Sequence, residues 1–407
     1  MLMKKKFLAF LLIGAFLPAA CATQATPTPI ELVEPVIMDT PTPKPSCAAI
    51  NTGPTPESGV ASGAYFPTVT AKDFSIGPAD APVTIIEYCE FQSEGCLNMA
   101  LVVGQLMRNR DDLRFVFRPL PLIGVLDKSE RAVLAVLAAD AQGKFWEMYD
   151  LLFIKQAEWK SLKPEAFNAW LKRESAALEV DVDKLEAAMN AEETATRLQS
   201  LYESAKNLNI PAIPLILING SPQPSYLLDY RSMSDTVGLT ALGQKQFSQC
   251  PPFNIDPQRQ YIATLHTGKG DIVIQLFPDK APLAVNSFVF LAQQGWYNGV
   301  TFYSVNPEGD EPTAKTGDPS GTGKGNAGYF FSNETSDLKF DKPGMVAMDN
   351  DGLNTNGSRF FITFAPAQQL NDAYTIFGQV ISGLDVVEQL KPHDADAKIL
   401  SVDMEEK

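Results

Sequence analysis

The sequence predicts a multidomain α+β protein, and three observations carry that prediction. The chain has 407 residues, enough for two or three domains. A proline-rich stretch divides an apolar N-terminal run from everything after it. Two later stretches each combine strand-like and helix-like periodicities, and an apolar content of 45% is ordinary for a folded protein. A net charge of −15 argues against a nucleic-acid binder, whose phosphate contacts need clustered Lys and Arg. The two histidines, His266 and His393, exclude a histidine-rich metal site. No metal and no cofactor are implied.

Residues 1–20 read as an export signal. Lys4, Lys5 and Lys6 precede an apolar run over 7–17 that is too short to remain as a membrane span. Leu17-Pro18-Ala19-Ala20-Cys21 resembles a bacterial lipobox, with Pro18 where leucine is usual. That resemblance implies a lipid on Cys21 and an anchor on the outer face of the cell membrane. Ordinary secretion is the alternative. Residues 21–66 then read as a disordered tether, with eight prolines from Pro27 to Pro56 and Thr and Ser among them.

Residues 67–245 are expected to form the first folded domain. Pro82 to Tyr88 reads as a buried strand, 96–108 as a helix with Leu97, Leu101, Leu106 and Met107 as its apolar residues, and 113–117 as a second strand. Residues 131–153 and 164–208 read as helical, with Trp146, Trp159 and Trp170 in their core. Leu215-Ile216-Leu217-Ile218 is a strand that runs into an Asn219-Gly220 turn. The segments Gly77-Pro78-Ala79-Asp80-Ala81-Pro82-Val83, Glu90-Phe91-Gln92 and Ala212-Ile213-Pro214-Leu215 resemble the thioredoxin-fold family. The similar branch carries a helical insertion and includes exported disulfide oxidoreductases. That resemblance implies a cis peptide at Pro214.

The family's redox site is Cys-x-x-Cys at a helix N-terminus, where the dipole lowers the first thiol's pKa. Here the aligned residues are Ser93-Glu94-Gly95-Cys96. Ser93 replaces the attacking cysteine, so a dithiol cycle cannot run at this motif. Glu94 opposes thiolate formation at Cys96. With Cys21 assigned to lipid, Cys47, Cys89, Cys96 and Cys250 remain and allow three pairings. Cys47 precedes the domain and Cys250 follows it, so a Cys47–Cys250 bridge is hypothesised to fasten the tether to the linker at 246–258. For Cys89 and Cys96, buried thiols are favoured over a second bridge.

Residues 259–407 form the second expected domain. Ile272, Ile274 and Leu276 lie on one strand face before Pro278 stops the strand. Pro282 suits a first helical position. Val285, Phe288, Val289 and Ala292 follow at helical spacing, and Gly295 ends the helix. This stretch, followed by Gly317-Asp318-Pro319, Asn354-Thr355-Asn356-Gly357-Ser358-Arg359-Phe360-Phe361-Ile362 and Tyr374-Thr375-Ile376-Phe377-Gly378-Gln379-Val380, resembles the cyclophilins, which are peptidyl-prolyl isomerases. The resemblance implies a closed antiparallel β-barrel with capping helices, and proline-containing or unfolded exported polypeptides as partners.

Prolyl isomerisation must overcome about 18–20 kcal/mol of amide resonance without covalent chemistry. A catalyst holds the ring in an apolar pocket and stabilises the twisted amide. Cyclophilins do this with an arginine in a Phe-His-Arg segment and a glutamine in a Phe-Met-x-Gln segment. Carried onto this chain, the arginine position is Ser304, within Phe302-Tyr303-Ser304. The glutamine position is Lys315. Asn350 matches a backbone-binding asparagine but is flanked by Asp349 and Asp351, where alanines are usual. Phe361 and Leu370 match the pocket wall, although barrel core is an equal reading of both. Gln369 and Tyr374 replace a tryptophan and a histidine at the rim. Arg359 stands where glutamine is common, and Arg359 and Lys315 are candidates to bring a cation to the groove from another wall.

Three readings follow. The first is an exported folding factor whose isomerase activity is reduced by Ser304. The second is a peptide-binding scaffold without catalysis in either domain. The third, weaker, is a thiol redox protein acting through Cys96.

Overall fold

The computed structural model describes residues 46–50 and 66–407. The expected signal at 1–20, the lipidation residue Cys21 and most of the expected tether lie outside the described residues. Part of that tether is folded: Cys47–Ala49 forms β1. The reading of 21–66 as unstructured throughout is corrected at this point. Composition cannot report a partner strand almost three hundred residues away.

The first domain holds β2 (Phe74–Ile76), β3 (Val83–Cys89), α1 (Glu94–Asn109) and β4 (Leu113–Pro119). A helical insertion follows: α2 (Ser129–Asp140), α3 (Phe145–Ile154), α4 (Gln156–Trp159), α5 (Pro164–Ser175), α6 (Val182–Met189) and α7 (Glu192–Asn207). The chain then returns as β5 (Leu215–Ile218), β6 (Ser221–Pro222) and α8 (Tyr230–Gly243). Among the described residues the sheet order is β2-β4-β3-β5-β6, with β3 and β4 parallel and the other pairs antiparallel. The central β3 is covered on both faces, which its near-continuous apolar run requires.

The buried stripe of α1 is Cys96, Met99, Val103 and Leu106, spaced three and four apart. Leu101, expected among the apolar contacts, faces solvent instead. The span 131–153 is two helices, because Gly143 takes a left-handed conformation (φ +70°) between them. The span 164–208 is likewise divided, with Asp181 capping α6. Trp159 and Trp170 are buried together against Phe167, as expected, while Trp146 is half-buried.

The second domain comprises β7 (Tyr261–Thr267), β8 (Gly270–Leu276), α9 (Pro282–Gln293), β9 (Ser304–Asn306), β10 (Thr313–Thr316), β11 (Tyr329–Phe331), β12 (Met345–Met348), β13 (Phe360–Thr363), β14 (Ile376–Ser382), α10 (Leu384–Val387) and β15 (Ile399–Glu406). Among the described residues, one antiparallel sheet runs β15-β7-β8-β14-β12-β13-β10-β9. The strict alternation of burial along β7 shows why it curls around a single interior. At its edge, β15 is tied to the turn ahead of β9: the Ile399 carbonyl accepts from the Gly299 amide at 2.7 Å and the Ile399 amide donates to the Val300 carbonyl at 2.9 Å. Helix α9 starts at Pro282, and its first free amides, Leu283 and Ala284, donate to the two carboxylate oxygens of Glu334.

The two domains share contacts. Leu242 on α8 belongs to the barrel's core cluster, and Phe247 packs on Phe290, Trp296 and Tyr329. Strand β1 pairs antiparallel with β11, and Cys47 is disulfide-bonded to Cys250.

Candidate functional site

Two places carry the candidate residues. In the first domain, the turn after β3 delivers Ser93 to the N-cap of α1, where its hydroxyl accepts the Cys96 amide at 3.4 Å. The Ile213–Pro214 peptide is cis, and Pro214 lies against the same turn: a Cβ on Gly95 would sit 3.2 Å from its Cδ. Ser93, Cys96 and Pro214 are thus brought together. Cys96 is not a free thiol. It is bonded to Cys89 at the end of β3, and both residues are fully buried. This corrects the preference for two buried thiols. Cys89 ends an apolar strand and Cys96 occupies the first turn of the helix that packs on that strand, so burial and bonding coincide.

Polar groups fix the surrounding turn. Gln156 donates to the carbonyls of Phe91 and Ser93 at 2.8 and 2.9 Å. Gln92 donates to Asp127, which also binds the buried Lys128 at 2.7 Å. Burial raises the Glu90 carboxyl to about 7, against a lowering contribution from the Gln92 amide. On the core face of β3, Glu87 has no hydrogen-bond partner among the described residues for either oxygen, and burial alone raises it to about 8.

In the barrel, register assembles the second place. Ser304 on β9 pairs with Lys315 on β10, Lys315 with Phe361 on β13, and Phe361 with Ala347 on β12. Directly opposed residues of antiparallel strands share a face, so these four form one row across the sheet. Phe361 belongs with Leu370, Phe340, Met345, Ala347 and Ile376 to an apolar cluster separate from the barrel interior. Tyr374 meets the Phe361 ring edge-on at 5.2 Å, and the Lys315 ammonium sits 6.0 Å from its centroid. Phe361 is left 1% exposed.

Asp349 is the centre of this face. Its buried carboxylate accepts the Tyr303 hydroxyl at 2.5 Å and the Lys315 ammonium at 3.1 Å, with an Arg359 nitrogen at 3.9 Å. Arg359 also pairs with Asp351 at 2.7 Å and donates to the Gly323 carbonyl. Burial opposes the charge on Lys315, but the Asp349 carboxylate outweighs it and holds the lysine pKa above its ordinary value. Burial, reinforced by Asp349, pushes the Tyr303 hydroxyl far up, so it is a permanent donor. Both candidate cations are therefore held by carboxylates.

Asn350 is placed in the turn beside this cluster. Its amide donates to Asn356 at 2.9 Å and its oxygen accepts from the Gly352 amide at 3.2 Å. Gln369 lies at the rim and donates to the Asp310 carbonyl. Asp349 and Tyr303 were not among the candidate site residues. The available signal was the two carboxylates flanking Asn350, Asp349 and Asp351, together with two cations at glutamine positions, which is a charge-balanced set.

Phe361, Leu370 and Phe340 are all covered in this structure, as the reading of Phe361 and Leu370 as barrel core expects, and a charged cluster lies beside them. The fold and this face together define a cyclophilin fold carried behind a thioredoxin-like domain. Sequence comparison agrees. Residues 262–405 match the family described as cyclophilin type peptidyl-prolyl cis-trans isomerase/CLD, and residues 69–226 match a thioredoxin family. A peptidyl-prolyl cis-trans isomerase of Arabidopsis thaliana is 42% identical over 146 residues, 34% of this chain and 89% of that protein. Peptidyl-prolyl cis-trans isomerase-like 3 of Gallus gallus is 44% identical over 132 residues, 31% of this chain and 80% of that protein. A solved cyclophilin-type isomerase of Cryptosporidium parvum, determined in the presence of the dipeptide Ala-Pro, is 33% identical over 35% of this chain and 98% of its own, with a TM-score of 0.32. The chain belongs to the cyclophilin-type peptidyl-prolyl cis-trans isomerase family.

Proposed function

We propose that this protein is an exported folding factor that binds proline-containing segments in the barrel groove and isomerises them slowly. One observation carries the reading: the row Ser304–Lys315–Phe361 keeps the apolar wall but has no guanidinium at position 304, while Lys315 and Arg359 are tied to carboxylates. Loss of a donor aimed at developing charge typically costs about 10²–10³ in rate. Exchange NMR on a short X-Pro peptide tests this. Ser304→Arg should isomerise it about a hundredfold faster than the wild type. A wild type as fast as Ser304→Arg would end the reading, and binding without turnover in both would favour the pure scaffold. Redox chemistry through Cys96 is disfavoured, since that sulfur is buried and bonded.

We further propose that the protein works outside the cytoplasm, anchored through lipid on Cys21, with secretion as the alternative. Two disulfides support an oxidising compartment. Labelling cells with a radioactive fatty acid should tag the wild type and spare Cys21→Ser. Equal labelling of both would refute the anchor.

A further inference from the structure

We infer that Asp349 suppresses the groove by holding the Lys315 ammonium in an ion pair, so that its charge is already neutralised when a substrate amide arrives. This rests on the reading that the groove binds proline-containing peptide, and it adds how that groove is restrained. Lys315 is the cross-strand neighbour of both Ser304 and Phe361, so its side chain rises from the centre of the row. Its ammonium stands over the Phe361 face, next to the position that lacks the family's arginine. It is the one group of the row that can supply positive charge to a carbonyl oxygen as the amide twists.

Two acids compete for that charge. Glu311 is half in solvent and lies 3.8 Å away, a weak and screened contact. Asp349 lies at 3.1 Å with its side chain only 7% exposed, where attraction is little screened. The Tyr303 hydroxyl fixes the Asp349 carboxylate from another side, and the Tyr303 ring is itself wedged against Gly323. Arg359 does not depend on Asp349 in the same way, because Asp351 and the Gly323 carbonyl hold it independently. Removing the Asp349 charge therefore releases Lys315 and leaves Arg359 in place. Asparagine suits the test: its oxygen still accepts the Tyr303 hydroxyl while the pull on the ammonium is gone.

The experiment uses the full chain and exchange NMR on one Ala-Pro peptide. Peptide affinity is measured alongside from shift titrations, and folding from cooperative thermal melts. Asp349→Asn should raise the isomerisation rate about tenfold over wild type, with the gain in turnover and not in affinity. Asp349→Asn combined with Lys315→Gln should return to the wild-type rate, because the freed ammonium is the agent. A folded, peptide-binding Asp349→Asn with the wild-type rate would overturn the inference, as would a gain that persists without Lys315. Ser304→Arg separates the two levels. If it gains activity while Asp349→Asn does not, only the role of Asp349 falls. If no variant binds the peptide, the groove reading falls and takes this inference with it.

Discussion

A serine stands in each domain where the family resemblance would put the reactive side chain, Ser93 in the first and Ser304 in the second, and the two serines have different surroundings. In the thioredoxin-like domain Ser93 caps the helix, and the surviving cysteine is sealed into the core with Cys89. Both of these sulfurs are out of reach of solvent. In the barrel the neighbourhood of Ser304 is ionic: cations at 315 and 359 pair with carboxylates at 349 and 351. A covalent seal is permanent under oxidising conditions, whereas an ion pair, even one as covered as that of Asp349 and Lys315, can change partners. The first place has become structure, and the second has kept the means to respond.

Breaking the bridges tests this contrast most strongly. The Cys47–Cys250 bridge spans 203 residues and the Cys89–Cys96 bridge spans 7. The chain-entropy relation gives about 5 kcal/mol for the long loop and about 2.5 kcal/mol for the short one. Chemical denaturation of Cys47→Ser and Cys89→Ser should show that order, and a reversed order would mean that core packing dominates at Cys89.

Next in size is the buried acid. The Glu87 pKa is raised from 4.5 to about 8, so its contribution to stability is complete below pH 4.5 and is lost as pH rises through 8. Wild-type stability should fall by about 3–5 kcal/mol across that window, with Glu90 adding to the lower part of the slope. Glu87→Gln should flatten the profile when unfolding is followed from pH 5 to 8. An unchanged slope would remove Glu87 as its source.

A smaller effect is expected from rebuilding the thiol site. Ser93→Cys alone should reduce insulin only slowly, because Cys96 remains paired with Cys89. Ser93→Cys with Cys89→Ser frees Cys96 and should reduce insulin about tenfold faster than the single variant. Equal rates would show that Cys89 does not hold the site closed.

The smallest effect concerns His266, between Asp271 at 2.8 Å and Asp403 at 3.1 Å. These carboxylates raise its pKa, so its stabilising charge is present at low pH and is lost as pH rises through the raised value. His266→Gln should cost under about 1 kcal/mol at pH 5 and nothing at pH 8, since the cluster is largely exposed. A cost that persists at pH 8 would point to packing.

Periodicity and motif order made the elements of both domains legible, because alternation in β7 and β8 and the helical spacing after Pro282 are local properties. The site was legible only as substitutions. That Ser304, Lys315 and Phe361 share a row depends on the register of β9, β10 and β13, and register is long-range. Asp349 was visible as an unusual neighbour of Asn350, yet only the fold shows that it faces both cations. Strand β1 was hidden for the same reason. Nothing in Cys47-Ala48-Ala49 announces a partner at 329–331.

The bridge from Cys47 to Cys250 also sets a path for mechanical load. It encloses the whole of the first domain in a covalent ring. Tension applied from the N-terminal side passes from Cys47 through sulfur to Cys250 and into the barrel. The thioredoxin-like domain hangs beside that path as an unstrained loop. Pulled between its ends in an optical trap, the oxidised chain should never release the contour length of residues 48–249, and it should release that length only after a reductant has opened the ring.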